Sequence, residues 1–539
     1  MFIKKSYSTK RDKLVPYYQI VESYREGGKN KHRVLRNLGQ ISDEDIDKLV
    51  ISLNKQKKKP YQLLHVNHED QYCWGDIYFL SSLWNKLGIG DLIKRFLKNK
   101  RTSFDISRAT LLMVLNRCID PLSKLSLFKW QNRIYFDDKF KYHQILRTLD
   151  HLEILKDSVE EALFQRHFNL FNQKVDLVFY DVTSTYFEGE GPNIANKGYS
   201  SDEKPSKNQI ILALAVTKDG IPIGHEVYAG NRKGSTTVID IIERLNKRFG
   251  VDKCIFVGDR GMVSQDNIDK LNELGYEYIF ALRKRRLIET RSLIEEDLSK
   301  YSEIKVDEDG EIIKLYYLEI KKGDLRYVVC HNPVVSAEEL IRLEERKEKK
   351  EKQVKEIINR FKDPSVVIKH ISQIYDINRY VIFGIKKGKV YYRINEESVE
   401  YEKLIAGKWV IKTSNMTLSS TELIEAYKNL SKVESAFKNI KSFIKIRPMF
   451  HREENRIRGH AFVCVLAYYL QKIIDIKLKK NLKEYSAIRA IEELGQIKMI
   501  KNRIGETVFY QSVQPKKEHN RILDACEVLA IPKTVFKEQ

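Results

Sequence analysis

Two aspartates stand directly after short apolar segments that have the pattern of buried strands. Asp181 follows VDLVFY and Asp259 follows CIFVG. In open α/β sheets the functional sites lie at the carboxyl ends of the strands, so both carboxylates are expected to project from such an end. Strand-terminal aspartates also cap helices and close turns, which leaves a structural role open for either residue alone. The two together, in a basic protein, favour a functional site.

Such carboxylates could bind divalent metal ions that cleave a phosphodiester bond. Cleavage of that bond needs an activated water and a stabilised leaving oxygen, and two magnesium ions bridged by carboxylates supply both. A third carboxylate is required, and Glu434 is the candidate. Tyr427, Glu434 and Lys441 are seven residues apart in the segment TELIEAYKNLSKVESAFKNIK, so on one helix they would form a stripe. Because a glutamate on a helix is ordinarily a solvated surface residue, the stripe alone does not assign Glu434.

The segment around the two aspartates has the strand and helix order of an α/β domain. From Lys174 to residue 283 the pattern predicts β-β-β-α-β-α-β, with Asp219-Gly220 as a hairpin turn. Antiparallel strands that lead into a strand, helix, strand series are the order of a ribonuclease-H-like sheet, although several α/β folds begin this way.

Helices are predicted on both sides of this segment. The spacing of apolar residues is helical from about residue 75 to 172. The capping sequence Ser419-Ser420-Thr421-Glu422 predicts the start of the helix that carries Glu434 and ends near Lys441. A second, apolar helix is predicted from about Arg456 to Lys479. Residues 284–415, with short strands and one long charged helix, interrupt the domain as an insertion.

Positive charge is the clearest feature of the composition. The chain has 96 Lys and Arg against 74 Asp and Glu, a net charge of +22. Such an excess usually means that a polyanion is bound, and nucleic acid is the first candidate, although a merely solvated basic surface is the alternative. The stretch from Tyr17 to Gly39 predicts a hairpin around Gly27-Gly28. Its exposed face is expected to carry Arg25, Lys29, Lys31, Arg33 and Arg36.

The cysteines and the apolar runs exclude several classes of protein. The six cysteines stand far apart and form no CxxC pair, so neither a disulfide framework nor a structural zinc site is supported. The N-terminus lacks the apolar core of a signal peptide. The longest apolar run, Ala461 to Leu470, has ten residues, whereas a membrane span needs about 20. We therefore expect a cytoplasmic protein that does not bind a membrane.

The segment around Glu434 resembles a known family. Tyr427-x-x-Leu430-x-x-x-Glu434-x-x-x-x-x-x-Lys441 is similar to the Tyr-Arg-Glu-Lys signature of a large group of bacterial insertion-sequence DDE transposases, with Leu430 in place of the Arg. DVTSTYFEG, GDRGM, VESAFKNIK and RPMFHREENRIRGHAFVCVLAYYL are similar to the three catalytic regions of that group, and the N-terminal hairpin resembles its members. The likeness is strong at residues 175–283 and 415–475 and weak in the insertion.

The resemblance implies roles for individual residues. Asp181, Asp259 and Glu434 would hold two Mg²⁺ ions, with Mn²⁺ able to substitute, and Tyr427 and Lys441 would contact DNA phosphate near the scissile end. Leu430 removes one phosphate contact of the signature, and this position either faces the DNA or packs in the core. A neighbouring cation could substitute for that contact: Lys428, Lys432 or Lys438. The candidate DNA contacts are Tyr427, Lys438, Lys441, Arg260, Arg283, Arg33 and Arg36.

The resemblance also implies a reaction and its partners. A transposase of this group would bind the terminal inverted repeats of an insertion sequence and catalyse metal-dependent cleavage and strand transfer by cut-and-paste. Double-stranded DNA of the ends and of the target would be bound by a homodimer in a synaptic complex, in the bacterial cytoplasm and on the nucleoid. Two alternatives remain: a metal-dependent nuclease or phosphatase without strand transfer, and a non-catalytic DNA-binding derivative. A strand-transfer assay separates the first, and the intact triad argues against the second.

We therefore predict an α/β fold with a ribonuclease-H-like catalytic core, a mainly β insertion, an N-terminal β-hairpin and a helical DNA-binding region. The core would comprise residues 173–283 and 416–480, the second part with the Glu434 helix, and residues 284–415 would be the insertion. The regions outside the core would be 1–60, a basic DNA-binding hairpin and helix; 61–172, a helical region for DNA binding or dimerisation; and 481–539, a C-terminal region.

Overall fold

The computed structural model describes most of the chain: residues 2–10, 13–57, 67–98, 102–171, 177–198, 206–249, 255–259, 261–284, 288–308, 311–504 and 507–535. The chain divides into two compact units. The first unit comprises residues 1–173, 182–232 and 435–539, and the second comprises residues 174–181 and 233–434. The division falls inside one strand and one helix.

An antiparallel sheet and one helix begin the first unit. They are β1 (Phe2–Lys10), β2 (Lys13–Glu26), β3 (Lys29–Gly39) and α1 (Asp43–Lys57). Gly27 and Gly28 join β2 to β3 with φ of +60° and +78°, the turn geometry that fits the twist of a hairpin and favours glycine at both positions. The predicted hairpin is confirmed, as is the helix from Asp43. Both faces of the hairpin are exposed from Ser23 to Leu35.

Helices then dominate the first unit, as the apolar spacing predicts. They follow strand β4 (Asn67–Cys73). The helices are α2 (Gly75–Lys86), α3 (Ile89–Leu97), α4 (Ile106–Ile119), α5 (Lys124–Trp130) and α6 (Tyr142–Phe171). Helix α4 is buried on nearly all sides, which is typical of a helix in the centre of a bundle.

The segment with the two aspartates has the predicted order β-β-β-α-β-α-β. Its elements are β5 (Leu177–Tyr186), β6 (Gln209–Thr217), β7 (Pro222–Ala229), α7 (Val238–Phe249), β8 (Ile255–Gly258), α8 (Gln265–Glu273) and β9 (Glu277–Ala281). The predicted turn at Asp219-Gly220 is confirmed, because Gly220 has a φ of +77° and its N–H donates to the Thr217 carbonyl oxygen (2.8 Å).

These strands belong to a large mixed sheet. In the second unit, β5 pairs with β8 and β8 with β9, both in parallel. In the first unit, β6 and β7 follow β5 in the sheet, and β6 pairs with β7 antiparallel. The strand order in this part is therefore β7-β6-β5-β8-β9. Strand β6 is buried along its whole length, as expected for a strand covered on both faces.

The insertion is mixed α/β, which corrects the prediction that it is mainly β. Its described elements are α9 (Ile288–Ile294), β10 (Ser302–Glu308), β11 (Glu311–Lys322), β12 (Leu325–His331), α10 (Pro333–Arg360), α11 (Pro364–Ser372), α12 (Ile377–Tyr380), β13 (Val381–Lys386), β14 (Lys389–Ile394), α13 (Glu396–Ile405) and β15 (Lys408–Thr413). The β-branched run Val366-Val367-Ile368 favours a strand locally. It is helical because Asp363 accepts from the Ser365 N–H (2.8 Å) and Pro364 occupies the first turn.

Most strands of the insertion continue the core sheet of the second unit. Strand β15 pairs antiparallel with β9, and β12 pairs antiparallel with β15. Strands β11 and β10 follow in order. Strands β13 and β14 instead form a separate two-stranded hairpin.

The helix that carries Glu434 is broken in two, which corrects the prediction of one continuous helix. Helix α14 spans Ser420–Lys428 and α15 spans Ser431–Ser442. Between them the chain makes i→i+3 hydrogen bonds, such as that from the Leu430 N–H to the Tyr427 carbonyl oxygen (3.0 Å). Such bonds wind the chain more tightly than an α-helix, so Tyr427 does not share a straight stripe with Glu434.

The C-terminal part of the first unit begins with the long helix α16 (Glu454–Asn481), which confirms the predicted apolar helix. The remaining elements are α17 (Ala487–Leu494), β16 (Lys498–Ile504), β17 (Thr507–Ser512), α18 (Lys517–Ala525) and β18 (Thr534–Val535). Strands β18, β17, β16 and β4 form a sheet in that order. Among the described helices, none combines the length and the apolar character needed to cross a membrane.

Candidate active site

Asp181 lies within β5, next to the end of the neighbouring strand β8. The last parallel pair of β5 and β8 joins Tyr180 to Gly258, so Asp181 is the first residue beyond the pairing. The expectation that Asp181 ends its own strand is corrected, because β5 continues to Tyr186. The residues after Asp181, VTSTY, are mostly β-branched or aromatic and favour the extended chain.

The residue before Asp181 is anchored in the interior of the second unit. Tyr180 is fully buried, and its hydroxyl donates to the Thr237 hydroxyl (2.7 Å). Its ring packs against Phe256, with 5.6 Å between the ring centroids. These contacts hold the backbone that presents Asp181.

Asp259 begins the loop after β8, as predicted. Its carbonyl oxygen accepts from the Met262 N–H (2.8 Å). The side-chain amide of the buried Asn267 donates to the carbonyl oxygens of Met262 (2.7 Å) and Ser235 (2.8 Å), which ties the loop to helix α8. Asp259 therefore follows β8, the strand that pairs with the β5 strand of Asp181. Neighbouring strands of a sheet lie about 4.8 Å apart.

Glu434 lies in the first turn of α15. The opposite face of this helix buries four apolar residues: Val433, Ala436, Phe437 and Ile440. Glu434 is on the exposed side, but its pKa is raised. The first cause is the surrounding protein, which removes part of its hydration, and the second is the negative charge of Asp259. The structure therefore brings Glu434 and Asp259 together.

The donor chemistry of Asp181, Asp259 and Glu434 fits a divalent cation. Carboxylate oxygens are the ligands that Mg²⁺ prefers, and a cation stabilises carboxylates that otherwise repel one another. Within the described residues, no three side chains of His, Cys, Asp or Glu are gathered closely enough to form a metal-binding group. The fold thus presents two carboxylates from adjacent strands and places a third near one of them.

Comparison with protein families assigns this chain. Residues 173–470 match the family model of the transposase DDE domain, a segment of more than half the chain that contains all three carboxylates. The chain belongs to the DDE transposase family. Residues 3–63 match the model of the IS1634 family transposase, N-terminal domain. The predicted insertion-sequence transposase is therefore confirmed, whereas the Tyr-Arg-Glu-Lys subgroup stays a prediction.

The solved structure titled "Mos1 transposase paired-end complex with left transposon end" is similar over 44% of this chain and 67% of that chain, with 13% sequence identity and a TM-score of 0.14. A TM-score this low carries no argument about the fold. No curated protein matches the chain. The family assignment implies an enzyme that cuts and transfers DNA, and DDE transposases typically use a divalent metal.

Side chains of the insertion hold the start of α14 in this transposase. The buried Arg326 of β12 donates to the Glu319 carboxylate (2.8 Å), to the Ser420 hydroxyl (3.2 Å) and to the Leu418 carbonyl oxygen. The Ser420 hydroxyl donates in turn to Glu319 (2.6 Å). The hydrogen bonds from Arg326 and Ser420 lower the pKa of Glu319 to about 2. Arg326 and Glu319 are positioning residues that sequence analysis missed, since nothing in their local pattern links them to Ser420.

Asn415 makes a second link to the same helix. Its side-chain amide donates to the Glu277 carboxylate at the start of β9 (2.8 Å), and its side-chain oxygen accepts from the Leu418 N–H (2.8 Å). The predicted capping box follows directly: the Ser419 hydroxyl accepts from the Glu422 N–H, and the Glu422 carboxylate accepts from the Ser419 N–H. The direction of α14 is therefore set from the sheet.

We expect Glu319→Gln to lower the melting temperature of the transposase at neutral pH. The pKa of Glu319 is about 2, below the usual value of 4.5, so its stabilising contribution is fully present above about pH 4.5 and is lost as the pH falls through about 2. The difference between wild type and variant should shrink accordingly, which thermal unfolding at a series of pH values measures. Glu303→Gln is the control, because its ion pair with Lys314 is exposed and should contribute less than about 1 kcal/mol. Equal melting temperatures of the two variants at pH 7 would contradict the assignment.

Leu430 is buried, with 5% of its surface exposed. Of the two placements considered for this position, the core placement is the one observed. We expect Leu430→Arg, which restores the residue of the signature, to destabilise the protein by at least about 2 kcal/mol, because an unpaired guanidinium would enter the core. Leu430→Met, which keeps the volume, should cost less than about 1.5 kcal/mol. A Leu430→Arg protein that melts with the wild type would show that the position opens to solvent.

The candidate DNA contacts of the N-terminal hairpin differ in their surroundings. Arg33 is exposed and forms an ion pair with Glu22 (2.7 Å). Arg36 is half-buried, donates to the Gln511 side chain (2.9 Å) and has its pKa lowered by burial. Arg36 therefore also connects the hairpin to strand β17, whereas Arg33 belongs to the exposed tip.

The candidate DNA contacts near the three carboxylates also differ in solvent exposure. Lys438 is exposed and Lys441 half-buried, four and seven residues after Glu434 on one face of α15. Tyr427 is half-buried at the end of α14.

The two remaining candidates follow the core strands. Arg283 is exposed just after β9. Arg260 lies outside the described residues.

Proposed function

We propose that this transposase binds the terminal inverted repeats of an insertion sequence and catalyses DNA cleavage and strand transfer by cut-and-paste transposition. The observation that carries the proposal is the placement of the carboxylates. Asp181 and Asp259 follow paired residues of adjacent parallel strands, and the charge of Asp259 acts on Glu434. The strand order β7-β6-β5-β8-β9, with parallel pairing at β5, β8 and β9, supports a ribonuclease-H-like core.

The three carboxylates would hold the metal, for which we propose two Mg²⁺ ions, with Mn²⁺ able to substitute. The bound metal would lower the pKa of an attacking water and stabilise the leaving oxygen of the phosphodiester. The role of the chain is to hold the ligands: Tyr180 and Asn267 anchor the backbone beside the two aspartates. Burial raises the pKa of Glu434, and the negative charge of Asp259 raises it further. The second of these effects supports this role, because repulsion between carboxylates favours a cation between them.

DNA would meet this site along helix α15. Lys438 and Lys441 share a face with Glu434, so we propose that they contact phosphates next to the scissile bond. Tyr427, Arg283 and Arg260 would contact DNA nearby, and the N-terminal hairpin would bind through Arg33, with Arg36 at its base. Two copies of the chain would hold both ends in a homodimeric synaptic complex.

A strand-transfer assay tests this function. The substrates are a labelled duplex with the inverted repeat that flanks the reading frame and a supercoiled target plasmid, in the presence of Mg²⁺. We expect labelled ends to be cut and joined to the plasmid. Release of ends without joining would indicate a nuclease, and binding of ends without cleavage would indicate a non-catalytic derivative.

A further inference from the structure

The β13–β14 hairpin of the insertion is rich in positive charge. Residues 381–394 contain no Asp or Glu. They contain four exposed cations: Lys386, Lys387, Lys389 and Arg393. Within the described part of the chain, none of the four forms an ion pair. Elsewhere in the insertion, exposed lysines are commonly paired with glutamates, as Lys403 is with Glu400 (2.8 Å).

The register of the hairpin collects three of these cations on one face. Lys386 pairs with Lys389, and Gly384 pairs with Tyr391. Because side chains alternate along a strand, Lys389, Tyr391 and Arg393 lie on the same side. The other side of the hairpin, with Phe383, packs in a hydrophobic cluster with helices α10, α11 and α12. The face with Tyr391 is therefore the outer face.

An aromatic ring lies between these cations. A Cβ at Gly384 would be 2.9 Å from Cε1 and 3.0 Å from the hydroxyl oxygen of Tyr391, so the ring lies over the glycine and depends on its lack of a side chain. The Tyr391 side chain remains 43% exposed. Exposed rings between cations are one way in which proteins bind single-stranded nucleic acid, since the ring stacks on a base and the cations contact the phosphates.

The tip of the hairpin places a lysine where the backbone favours other residues. Lys387 and Gly388 have φ of +50° and +73°, the left-handed conformations of a tight hairpin turn. Asn or Gly would occupy the first of these positions at a lower cost than lysine. The conformation of the turn thus does not account for Lys387, which adds an exposed positive charge at the tip of the hairpin.

We infer that the outer face of this hairpin binds a DNA strand, with its cations on the phosphates and Tyr391 against a nucleotide. The inference rests on the proposed function and adds a DNA contact within the insertion. DNA is favoured over an acidic protein segment because the face combines cations with an exposed ring at regular strand spacing, and because the proposed reaction already brings DNA to this unit.

The test compares two variants with the same loss of charge. The first carries Lys386→Gln, Lys387→Asn and Lys389→Gln. The control carries Lys349→Gln, Lys352→Gln and Lys362→Gln, three exposed lysines of the insertion that lie outside the hairpin. Binding of duplex DNA of arbitrary sequence is measured across a range of salt concentrations. The slope of the logarithm of affinity against the logarithm of salt concentration should become less steep by about 0.9 for each phosphate that the hairpin variant no longer binds. The control variant should show a smaller change. Lys387→Asn alone should keep the wild-type melting temperature, which separates weaker DNA binding from misfolding.

Tyr391→Leu tests the aromatic contact, with a duplex that ends in a single-stranded overhang. We expect binding about fivefold weaker or more, at an unchanged slope. Equal slopes of the wild type and the hairpin variant, in a wild-type preparation that cleaves its transposon end, would overturn the inference and leave the proposed function standing. An equal fall in the control would overturn it as well. A wild-type protein that neither binds nor cleaves the end would overturn the proposed function, and the inference with it.

Discussion

Asp181→Asn, Asp259→Asn and Glu434→Gln should each abolish cleavage of the transposon end, while binding of that end stays largely intact. Each change replaces the charged carboxylate of a proposed metal ligand by an amide of nearly the same size and removes no proposed DNA contact. If the site holds two metal ions as proposed, loss of one carboxylate should lower the rate by several orders of magnitude. Gel assays of cleavage and of end binding, run on the same preparations, measure both effects.

Glu425→Gln is the matched control for these variants. Glu425 is an exposed glutamate of α14, on the helix that precedes α15, and its loss should leave cleavage unchanged. All four variants should melt near the wild-type temperature. None of the substituted side chains is fully buried, since Asp181 and Asp259 are half-buried and Glu434 is exposed, and each replacement keeps the size of the side chain. A variant that cuts the end at a near wild-type rate would exclude the substituted residue from the catalytic site.

Neutralising the tip of the N-terminal hairpin should flatten the salt dependence of end binding. The variant replaces four exposed cations by glutamine: Arg25, Lys29, Lys31 and Arg33. If each contacts a phosphate, the slope should fall by about 0.9 per residue, about 3.6 in total. The ion pairs of Lys31 with Glu26 and of Arg33 with Glu22 are exposed and contribute little to folding, so the melting temperature should barely change.

This variant is a sharper test than deletion of residues 1–60. Tyr18, Leu38 and Leu49 pack with Phe509 in one hydrophobic cluster, so deletion would uncover a buried part of the first unit. A control of equal charge replaces four exposed lysines of the same unit: Lys479, Lys480, Lys483 and Lys517. If the hairpin variant and the wild type show the same slope, the hairpin is a structural or dimerising element and not a DNA contact.

Local patterns in the sequence were sufficient for the elements that present the aspartates. Alternating and continuous apolar runs predicted the order β5 to β9, and Gly27-Gly28 predicted the N-terminal turn, because these signals arise from the side-chain period and from φ preferences of single residues. The capping box at Ser419 and Glu422 was predictable for the same reason, since its hydrogen bonds span three residues. The assignment of Glu434 depended on the resemblance to a family, because a helix surface offers many equivalent glutamates.

The tertiary structure decided the features that depend on contacts between distant segments. The attachment of the insertion to β9, the link from Arg326 to Ser420 and the bond from Arg36 to Gln511 join residues that are far apart in the chain. Such pairings leave no periodic trace in either segment, so composition and spacing did not reveal them.

The break between α14 and α15 is also a tertiary result. The segment TELIEAYKNLSKVESAFKNIK has the capping and spacing of one helix, and neither proline nor glycine interrupts it. Leu430 is nevertheless buried, at the turn between the two helices. The sequence by itself determined the net positive charge and, with the resemblance to a family, the three candidate carboxylates. Only the packing of the chain decided that Glu434 approaches Asp259 and that position 430 faces the core, because both depend on which surfaces exclude water after folding.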